Sequence, residues 1–496
     1  MKCWHFFTEV PPMKTVLSGI LLVCLCFVAT ACNSNDDSNE PELPATVFEL
    51  VYATYWGGLP QANIGNAMAN KGNSIRVDKD GNIYLAGETQ SPYFYLKNPI
   101  IDETFSTTGF VSKFAPDGQS VVYSTFLGDP QGYNFCVAMD VDEQGNAIVG
   151  GMAGGQEFPL KNPLYDTFSE PWLCGFLSSI APRGSTLNFS TFILEQRVIA
   201  LVLDDQRDIY LATMDNCVLK ISGDGQRLLY KYKMPFSGND DGITSIAVTA
   251  GGSLVVVGWT STWYFPSRNP VQAASGGKQD AFILKIDPQG KDLEFATRLG
   301  GAEIDLALDV ALGPDGSIYA CGMTASADFP LKNAADSLLG GKEDAFVARV
   351  DPVNGTLLYS TYLGGSGEDW AMSLALDAGG ATYMTGWTTS SDFPVRGALL
   401  EKLGGVKDPF ITKLSAGGDK VLLSTYFGGA LLSPIAEHNV SDPGADWSND
   451  ICLGPDGKIY ITGETCCKDF PLLNPIDSSN LYTKAFIAVL REKQLR

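Results

Sequence analysis

Short runs of apolar residues, or of alternating apolar and polar residues, follow one another from residue 47 to the end of the chain. In the stretch 357–419 four such runs occupy 372–376, 382–386, 409–414 and 421–427. Runs of this length with a period near two predict β-strands. Turn sequences such as Gly-Pro-Asp-Gly at 313–316 separate the runs and suit tight hairpins. The pattern therefore predicts four-stranded antiparallel units.

The four-run unit recurs seven times along the chain, and the third copy is shortened after its second run. The turn between the first two runs of each unit aligns at Gly81, Gly145, Arg207, Gly252, Gly316, Gly380 and Gly457. Seven small sheets need protection of their edges, which radial closure into a propeller provides. The repeats therefore predict a seven-bladed β-propeller.

The two ends of the repeat region indicate how the ring closes. Residues 47–56 (VFELVYATYW) resemble the fourth run of every unit, for example VVYSTF at 121–126, but they precede the first unit. The last unit ends after its third run, at 485–490. We therefore expect an all-β propeller over 47–496, built of four-stranded antiparallel blades, in which the N-terminal strand completes the last blade.

Three sequence motifs carry a resemblance to a known family. They are YSTYLGGSGEDWA at 359–371, GWTTSSDFP at 386–394 and KEDAFVARVD at 342–351. These motifs resemble the bacterial SBBP repeats, which form seven-bladed β-propellers, and they recur in weaker form in every copy except the third. The resemblance implies a propeller fold and an extracytoplasmic setting, and it implies no catalytic residues.

The N-terminal segment is typical of a secretory address. Residues 17–31 are apolar, follow Lys14 and are too few to span a membrane comfortably, which indicates a signal peptide over 1–31. Residues 1–12 precede Met13, which would itself be a conventional start. The sequence VATAC at 28–32 resembles a lipobox and predicts lipidation of Cys32, the alternative being an ordinary signal peptide with an incidental cysteine. Residues 32–46 are polar and acidic and predict a disordered tether.

Acidic residues directly after Cys32 also resemble the surface-export signal of some bacterial lipoproteins. We therefore expect an outer-membrane lipoprotein that is exposed at the cell surface and contacts the membrane through its lipid anchor only. The formal charge of −22, from 34 basic and 56 acidic side chains, argues against nucleic acid as a partner. The partner that we expect is a protein or a carbohydrate.

The chain contains only two histidines, His5 and His438. A multi-histidine metal site is therefore excluded, and a Ser-His-Asp triad in the propeller would have to use His438.

A polar residue stands at a fixed distance before each aligned turn, and we call this place in the repeat the ring position. Its residues are Asn70, Asn134, Gln196, Asp241, Asp305, Asp369 and Asp446. These residues precede the innermost strands, so we expect their side chains near the mouth of the central channel. Their oxygen atoms would suit Ca²⁺, the one cofactor that the sequence suggests, or a polar ligand. The alternative is that each side chain caps its local turn.

Trp370 and Trp447 follow the ring aspartates of two neighbouring copies. An aromatic side chain beside carboxylates suits a carbohydrate or peptide site, and the alternative is packing between blades.

The adjacent Cys466 and Cys467 replace Ala or Ser of other copies on a loop that we expect to be exposed. They suit a redox or soft-metal site, or are simply two free thiols.

The loops from the fourth strand to the next first strand, and from the second to the third strand, are long and share one end of the propeller, here called the long-loop face. Function usually resides on such loops. We expect a non-enzymatic binding module that uses this face, with Asp241, Asp305, Asp369, Trp370, Asp446 and Trp447 as candidate ligand contacts. The alternative is a glycan-active hydrolase or lyase that uses Asp369, Glu368, Asp446 or His438. A third alternative is an assembly scaffold, and the fold alone does not choose among them.

Overall fold

In the part of the chain that the structure describes, twenty-eight strands form seven four-stranded antiparallel sheets, each of which is one blade of a propeller. The computed structural model describes residues 45–58, 69–168, 174–194, 197–236, 240–431, 444–479 and 483–495. They fall in one compact unit that spans Pro44–Arg496. The innermost strands β2, β6, β10, β14, β18, β22 and β26 contact one another in that order, and β26 contacts β2 again. The cyclic order closes the ring, so the predicted all-β, seven-bladed fold is confirmed.

The strands of the first three blades are short and regular. They are β2 Asn70–Val77, β3 Ile83–Thr89, β4 Thr108–Phe114 and β5 Val121–Leu127; β6 Phe135–Val141, β7 Ala147–Ala153, β8 Cys174–Ile180 and β9 Leu187–Ile193; and β10 Val198–Leu203, β11 Ile209–Thr213, β12 Cys217–Ile221 and β13 Leu228–Lys233. In the short third blade only residues 214–216 connect the second and third strands, as the shortened third copy predicts.

The other four blades follow the same plan. Their strands are β14 Gly242–Val248, β15 Leu254–Thr260, β16 Asp280–Ile286 and β17 Leu293–Leu299; β18 Asp305–Leu312, β19 Ile318–Thr324, β20 Asp344–Asp351 and β21 Thr356–Leu363; β22 Asp369–Leu376, β23 Thr382–Thr388, β24 Asp408–Leu414 and β25 Val421–Tyr426; and β26 Asp446–Leu453, β27 Ile459–Thr465, β28 Lys484–Gln494 and β1 Thr46–Trp56. In the part of the chain that the structure describes, no helix has the length and apolar character needed to cross a membrane.

The N-terminal strand β1 closes the last blade. It pairs antiparallel with β28, from Thr46 opposite Gln494 to Trp56 opposite Ala485. Its Trp56 is buried, and the indole Nε1 donates a hydrogen bond of 3.0 Å to Ser112 Oγ of the first blade. The first segment of the propeller therefore completes the last sheet and packs against the next one, as predicted.

The hairpin turns between first and second strands need a left-handed backbone. All seven aligned turn residues have positive φ, including Gly380 at +82° and Arg207 at +66°. Glycine adopts this conformation without steric cost, which explains its recurrence at this position. In the third copy Arg207 adopts the same conformation, in which its side chain causes backbone strain.

The second-to-third loops lie along their own blades. In the sixth blade the Phe393 ring packs on Phe410 with centroids 4.7 Å apart, and Arg396 pairs with Ser424 of the fourth strand. In the fifth blade Lys332 Nζ donates to the Leu357 carbonyl at 2.6 Å. Buried aromatic rings and main-chain hydrogen bonds therefore fix these loops along the outer strands of their blades.

The innermost strands enclose a central channel with a cavity of about 490 Å³. The charged residues that line it are Arg76, Asp140, Asp309 and Asp450. Burial raises the pKa of the Asp140 and Asp309 carboxyls. Asp309 Oδ2 accepts hydrogen bonds from Ser373 Oγ at 2.8 Å and from the Leu374 amide at 2.9 Å, both on the neighbouring blade. Polar groups inside the channel therefore join neighbouring blades.

Candidate functional site

The ring-position aspartates lie beneath the surface of the long-loop face. Asp305, Asp369 and Asp446 are fully buried, and Asp241 is 8 % exposed. Asp369 Oδ2 accepts hydrogen bonds from the Gly365 amide at 2.8 Å and from Ser390 Oγ at 2.7 Å. These contacts close the loop that enters the innermost strand. They support the turn-capping interpretation, while the calcium site stays a prediction.

The same capping recurs around the ring with small variations. Asp305 Oδ2 accepts from the Gly301 amide, Asp241 Oδ1 from the Ser261 amide, and Asp446 Oδ2 from the Gly429 amide, at 2.8, 2.9 and 2.8 Å. In the first two copies Asn70 and Asn134 fill the position and are buried. Gln196 and His438 lie outside the described residues.

A second buried aspartate stands at the start of the third strand in three consecutive blades, as Asp280, Asp344 and Asp408. Asp344 accepts hydrogen bonds from the amides of Gly340 and Gly341, and Asp408 from those of Gly404 and Gly405. Burial raises the pKa of Asp305, Asp344 and Asp408 to about 6 and that of Asp446 to about 8. These acids are shielded from solvent and bonded to the main chain. A glycosidase needs carboxyl groups that reach the sugar, so this set gives the hydrolase alternative no support.

Above these aspartates, three tryptophans gather at the long-loop face. Trp370 of β22 and Trp387 of β23 are cross-strand partners, and their rings stack with centroids 5.2 Å apart and an interplanar angle of 23°. Lys407 Nζ lies 3.8 Å from the centroid of Trp387 and 5.5 Å from that of Trp447. We call Trp370, Trp387, Lys407 and Trp447 the tryptophan cluster. It joins the sixth and seventh blades, and its four side chains are half-buried.

Carboxylates flank the tryptophan cluster on both sides. Trp370 Nε1 donates a hydrogen bond of 2.8 Å to Glu343 of the fifth blade, and Trp447 Nε1 donates to Glu464. Glu464 also pairs with Lys71 of the first blade at 3.2 Å. Burial raises the pKa of Glu464 despite that lysine. The two indole N–H groups are thus engaged, which holds the ring planes in fixed positions.

This arrangement suits recognition of a ligand by stacking and by charge. The half-buried indole rings leave part of their apolar surface exposed, and Lys407 and Glu343 provide charged groups beside it, whereas Glu464 is buried. Trp370 and Trp447 were predicted from the sequence as ligand contacts, whereas Trp387 and Lys407 were not. Trp387 could have been found from the strand register. Trp370 is the second residue of β22, and it pairs with the penultimate residue of β23, which is Trp387.

The adjacent Cys466 and Cys467 lie at the same end of the seventh blade. The expectation that they are exposed was wrong, because Cys466 is 3 % exposed and Cys467 is fully buried. The loop after β27 passes beneath the surface there, and the Cys466 amide donates to Asp446 Oδ1 at 3.2 Å. Neither cysteine forms a disulfide, and neither do the other five cysteines of the described propeller.

Fold and strand order define the protein as a seven-bladed β-propeller. Residues 62–94 match the family SBBP, described as a beta-propeller repeat, so the predicted resemblance is confirmed at that repeat. No curated protein matches the chain. Similar solved structures include the WD40 beta propeller domain of Doa1, with a TM-score of 0.47 and 10% identity over 90% of this chain and 97% of that one. The WD40 repeats of RRP9 also match with a TM-score of 0.47 and 10% identity, over 91% of this chain and 99% of that one.

Proposed function

We propose that this propeller is a non-enzymatic binding module that holds an extracytoplasmic glycan or protein segment against the tryptophan cluster on its long-loop face. The observation that carries the proposal is the stacked pair Trp370 and Trp387, linked through Lys407 to Trp447. β-Propeller repeats generally serve as interaction scaffolds, and function commonly resides on loops held by a rigid frame.

The position of the cluster supports this proposal. Glu343 of the fifth blade and Lys71 of the first blade bound the cluster, so a ligand seated on the rings would span four blades. Stacked aromatic pairs contribute roughly 0.5–1.5 kcal/mol beyond the area that they bury. The pair also packs within the sixth blade, and Lys407 links it to Trp447 of the seventh. The alternative of packing alone therefore makes a different prediction, which is that loss of an indole lowers stability without affecting any binding.

The hydrolase or lyase alternative has weaker support. Its proposed acids Asp369 and Asp446 are fully buried and repeat the capping pattern of the other blades. An active site would be expected to break that symmetry with an accessible carboxyl pair of unequal pKa. Glu368 is half-buried and lies 3.8 Å from Lys342 in an ion pair.

We also propose that Cys32 carries a lipid that anchors the propeller at the bacterial outer membrane, with the face of the tryptophan cluster free for a partner at the cell surface. The lipobox-like sequence at 28–32 and the acidic residues that follow it support this. Metabolic labelling with an alkyne fatty acid tests the anchor. Labelling of the wild-type chain that is lost in Cys32→Ala is the expected result, and equal labelling of both chains would contradict it.

The binding proposal is tested with a thermal-shift screen of the purified protein against soluble oligosaccharides, followed by capture of extracellular proteins on the immobilised chain. We expect a saturable ligand in one of the two arms, with affinity reduced roughly tenfold or more by Trp387→Ala. Trp263→Ala is the matched control, since this side chain is 89 % exposed and lies outside the cluster. No binding in either arm, or binding that Trp387→Ala and Trp370→Ala leave unchanged, would overturn the proposal.

A further inference from the structure

Three potential metal ligands meet at the start of the seventh blade. Asp446 begins β26, and Cys466 and Cys467 directly follow β27. One carboxylate oxygen and the two sulfur atoms all lie within 4.8 Å of one another, and all three residues are buried. In zinc sites, Zn–S bonds of about 2.3 Å at tetrahedral angles place two sulfurs about 3.8 Å apart. The three atoms are therefore close enough to share one ion.

Comparison among the blades shows that the two thiols break the symmetry of the repeat. In the fifth and sixth blades Ser326 and Ser390 occupy the position of Cys467, and their hydroxyls donate to the ring aspartate at 3.0 and 2.7 Å. In the seventh blade a thiol replaces that hydroxyl, although a thiol is a weaker donor. Cys466 adds a second thiol at the position of Ala325 and Thr389. The buried Asp446 carboxyl therefore lies beside two sulfur atoms, where the ring aspartates of the fifth and sixth blades have a hydroxyl donor. This difference requires a chemical reason.

A disulfide does not provide that reason. The α-carbons of adjacent residues are about 3.8 Å apart, which is below the usual range for a relaxed disulfide. Neither cysteine forms a disulfide in the structure. Hydrogen bonding of the thiols accounts for part of the arrangement, since Cys466 Sγ lies 3.3 Å from the Gly444 amide and 3.3 Å from the Ala445 carbonyl. These contacts fix the position of one sulfur beside Asp446.

We propose that Asp446, Cys466 and Cys467 form a binding site for one Zn²⁺ ion. Two sulfurs and one carboxylate oxygen are a donor set that suits this borderline-soft ion, whereas Ca²⁺ and Mg²⁺ prefer oxygen ligands alone. Binding replaces the protons that the two thiols and the Asp446 carboxyl carry, so two Zn–S bonds and one Zn–O bond form as these protons leave to the solvent. Three protein ligands leave the fourth tetrahedral position to water or to a further ligand.

The site lies close to the tryptophan cluster in the sequence and in the fold, because Trp447 follows Asp446 and Glu464 stands two residues before Cys466. A metal ion there would tie the ends of β26 and β27 together beneath Trp447. The zinc proposal does not depend on the proposed ligand-binding function, and the two are tested by different measurements.

The test is a titration of the full chain, purified and reduced, with Co²⁺ followed by Zn²⁺. We expect one equivalent of Co²⁺ to produce a thiolate-to-metal charge-transfer absorption, and one equivalent of Zn²⁺ to displace it. Cys467→Ser recreates the arrangement of Ser326 and Ser390, so the variant should fold, and its affinity for Zn²⁺ should fall roughly tenfold or more. Cys466→Ala should have a similar effect.

Cys321→Ala is the matched control. Cys321 is a buried thiol within β19, and Ala86 occupies the same position in the first blade. This variant should bind Co²⁺ and Zn²⁺ like the wild type. Absence of the charge-transfer band from the reduced wild-type chain would overturn the proposal, whatever the variants do. Equal metal binding by the wild type and by a folded Cys466→Ala/Cys467→Ser double variant would overturn it as well.

Discussion

Arg76 Nη1 lies 2.6 Å from Asp450 Oδ2, across the junction between the first and the last blade. The same oxygen accepts hydrogen bonds from the Ile75 amide at 2.8 Å and from Ser74 Oγ at 3.1 Å. One carboxylate at the wall of the channel thus holds three donors of the neighbouring blade. The junction where the ring closes is therefore joined at the centre by Asp450 and at the periphery by β1.

Replacement of Asp450 by alanine should destabilise the closed ring. One of the groups that donate to Asp450 is a buried main-chain amide. Leaving such an amide without an acceptor costs about 1–3 kcal/mol of folding free energy. We expect a lower urea midpoint for Asp450→Ala. The matched control is Glu303→Ala, which removes an ion pair with Lys278 at the surface, where both side chains are exposed. That change should cost at most about 1 kcal/mol, and equal losses in the two variants would contradict the role of the channel carboxylate.

Removal of β1 should prevent the propeller from folding. The strand buries Tyr52, Tyr55 and Trp56, and loss of one large aromatic side chain from a core typically costs about 3–5 kcal/mol. The total stability of a domain is about 5–15 kcal/mol. A chain that begins at residue 57 should lack a cooperative melting transition in circular dichroism, whereas a chain that begins at residue 45 should retain the wild-type transition. A native-like melt of the shorter chain would show that the last blade closes without its fourth strand.

Stability should fall as the pH rises from about 4 to about 6. Burial raises the pKa of Asp305, Asp344 and Asp408 to about 6, above the value of about 3.9 for an unfolded chain. Between these values the folded state binds more protons than the unfolded state, so the free energy of unfolding decreases with pH. Urea melts at pH 4, 5, 6 and 7 measure this trend.

Asp305→Asn should weaken that pH dependence, and the natural Asn70 and Asn134 show that asparagine is accepted at the ring position. The exposed Asp315, whose pKa is lowered to about 2 by hydrogen bonds from Ser317, supplies the control Asp315→Asn. Its pKa lies at the lower end of this range when unfolded and below it when folded, so that variant should keep the wild-type slope above pH 5. A slope in Asp305→Asn identical to that of the wild type would contradict the assignment.

Gly364→Ala should destabilise the junction of the fifth and sixth blades. A Cβ atom there would lie 2.6 Å from Asp344 Cγ, which is closer than carbon atoms approach. Overpacking of this kind costs about 1–3 kcal/mol. At Gly316 a Cβ would meet nothing within 4 Å, and only the backbone strain at a φ of +81° opposes alanine. Melting temperatures should therefore fall further for Gly364→Ala than for Gly316→Ala, and the reverse order would contradict the steric argument.

The sequence predicts the blades well because their signals are local. Alternating apolar runs and turn glycines define each hairpin, and the left-handed φ of Gly380 and of Arg207 matches the alignment of the copies. Closure by β1 is also predictable, since a fourth-strand sequence precedes the first unit and the last unit lacks one. These features need no knowledge of contacts between distant residues.

The candidate site is less predictable because it depends on contacts between blades. Arg76 and Asp450 are 374 positions apart, and no local pattern links them. Lys407 meets two tryptophans from two blades, which only the packed structure shows. The burial of Cys466 and Cys467 was missed because a loop between strands is normally exposed, whereas this one passes under the surface of the seventh blade.

The most direct test of the binding account is hydroxyl-radical footprinting of the tryptophans, with and without the ligand that the screen identifies. Trp370, Trp387 and Trp447 should each be oxidised more slowly in the complex, while the exposed Trp263 should react at the same rate in both states. Protection of the three cluster tryptophans would locate the ligand on the long-loop face between the sixth and seventh blades. Unchanged oxidation of all three in a saturated complex would contradict the account.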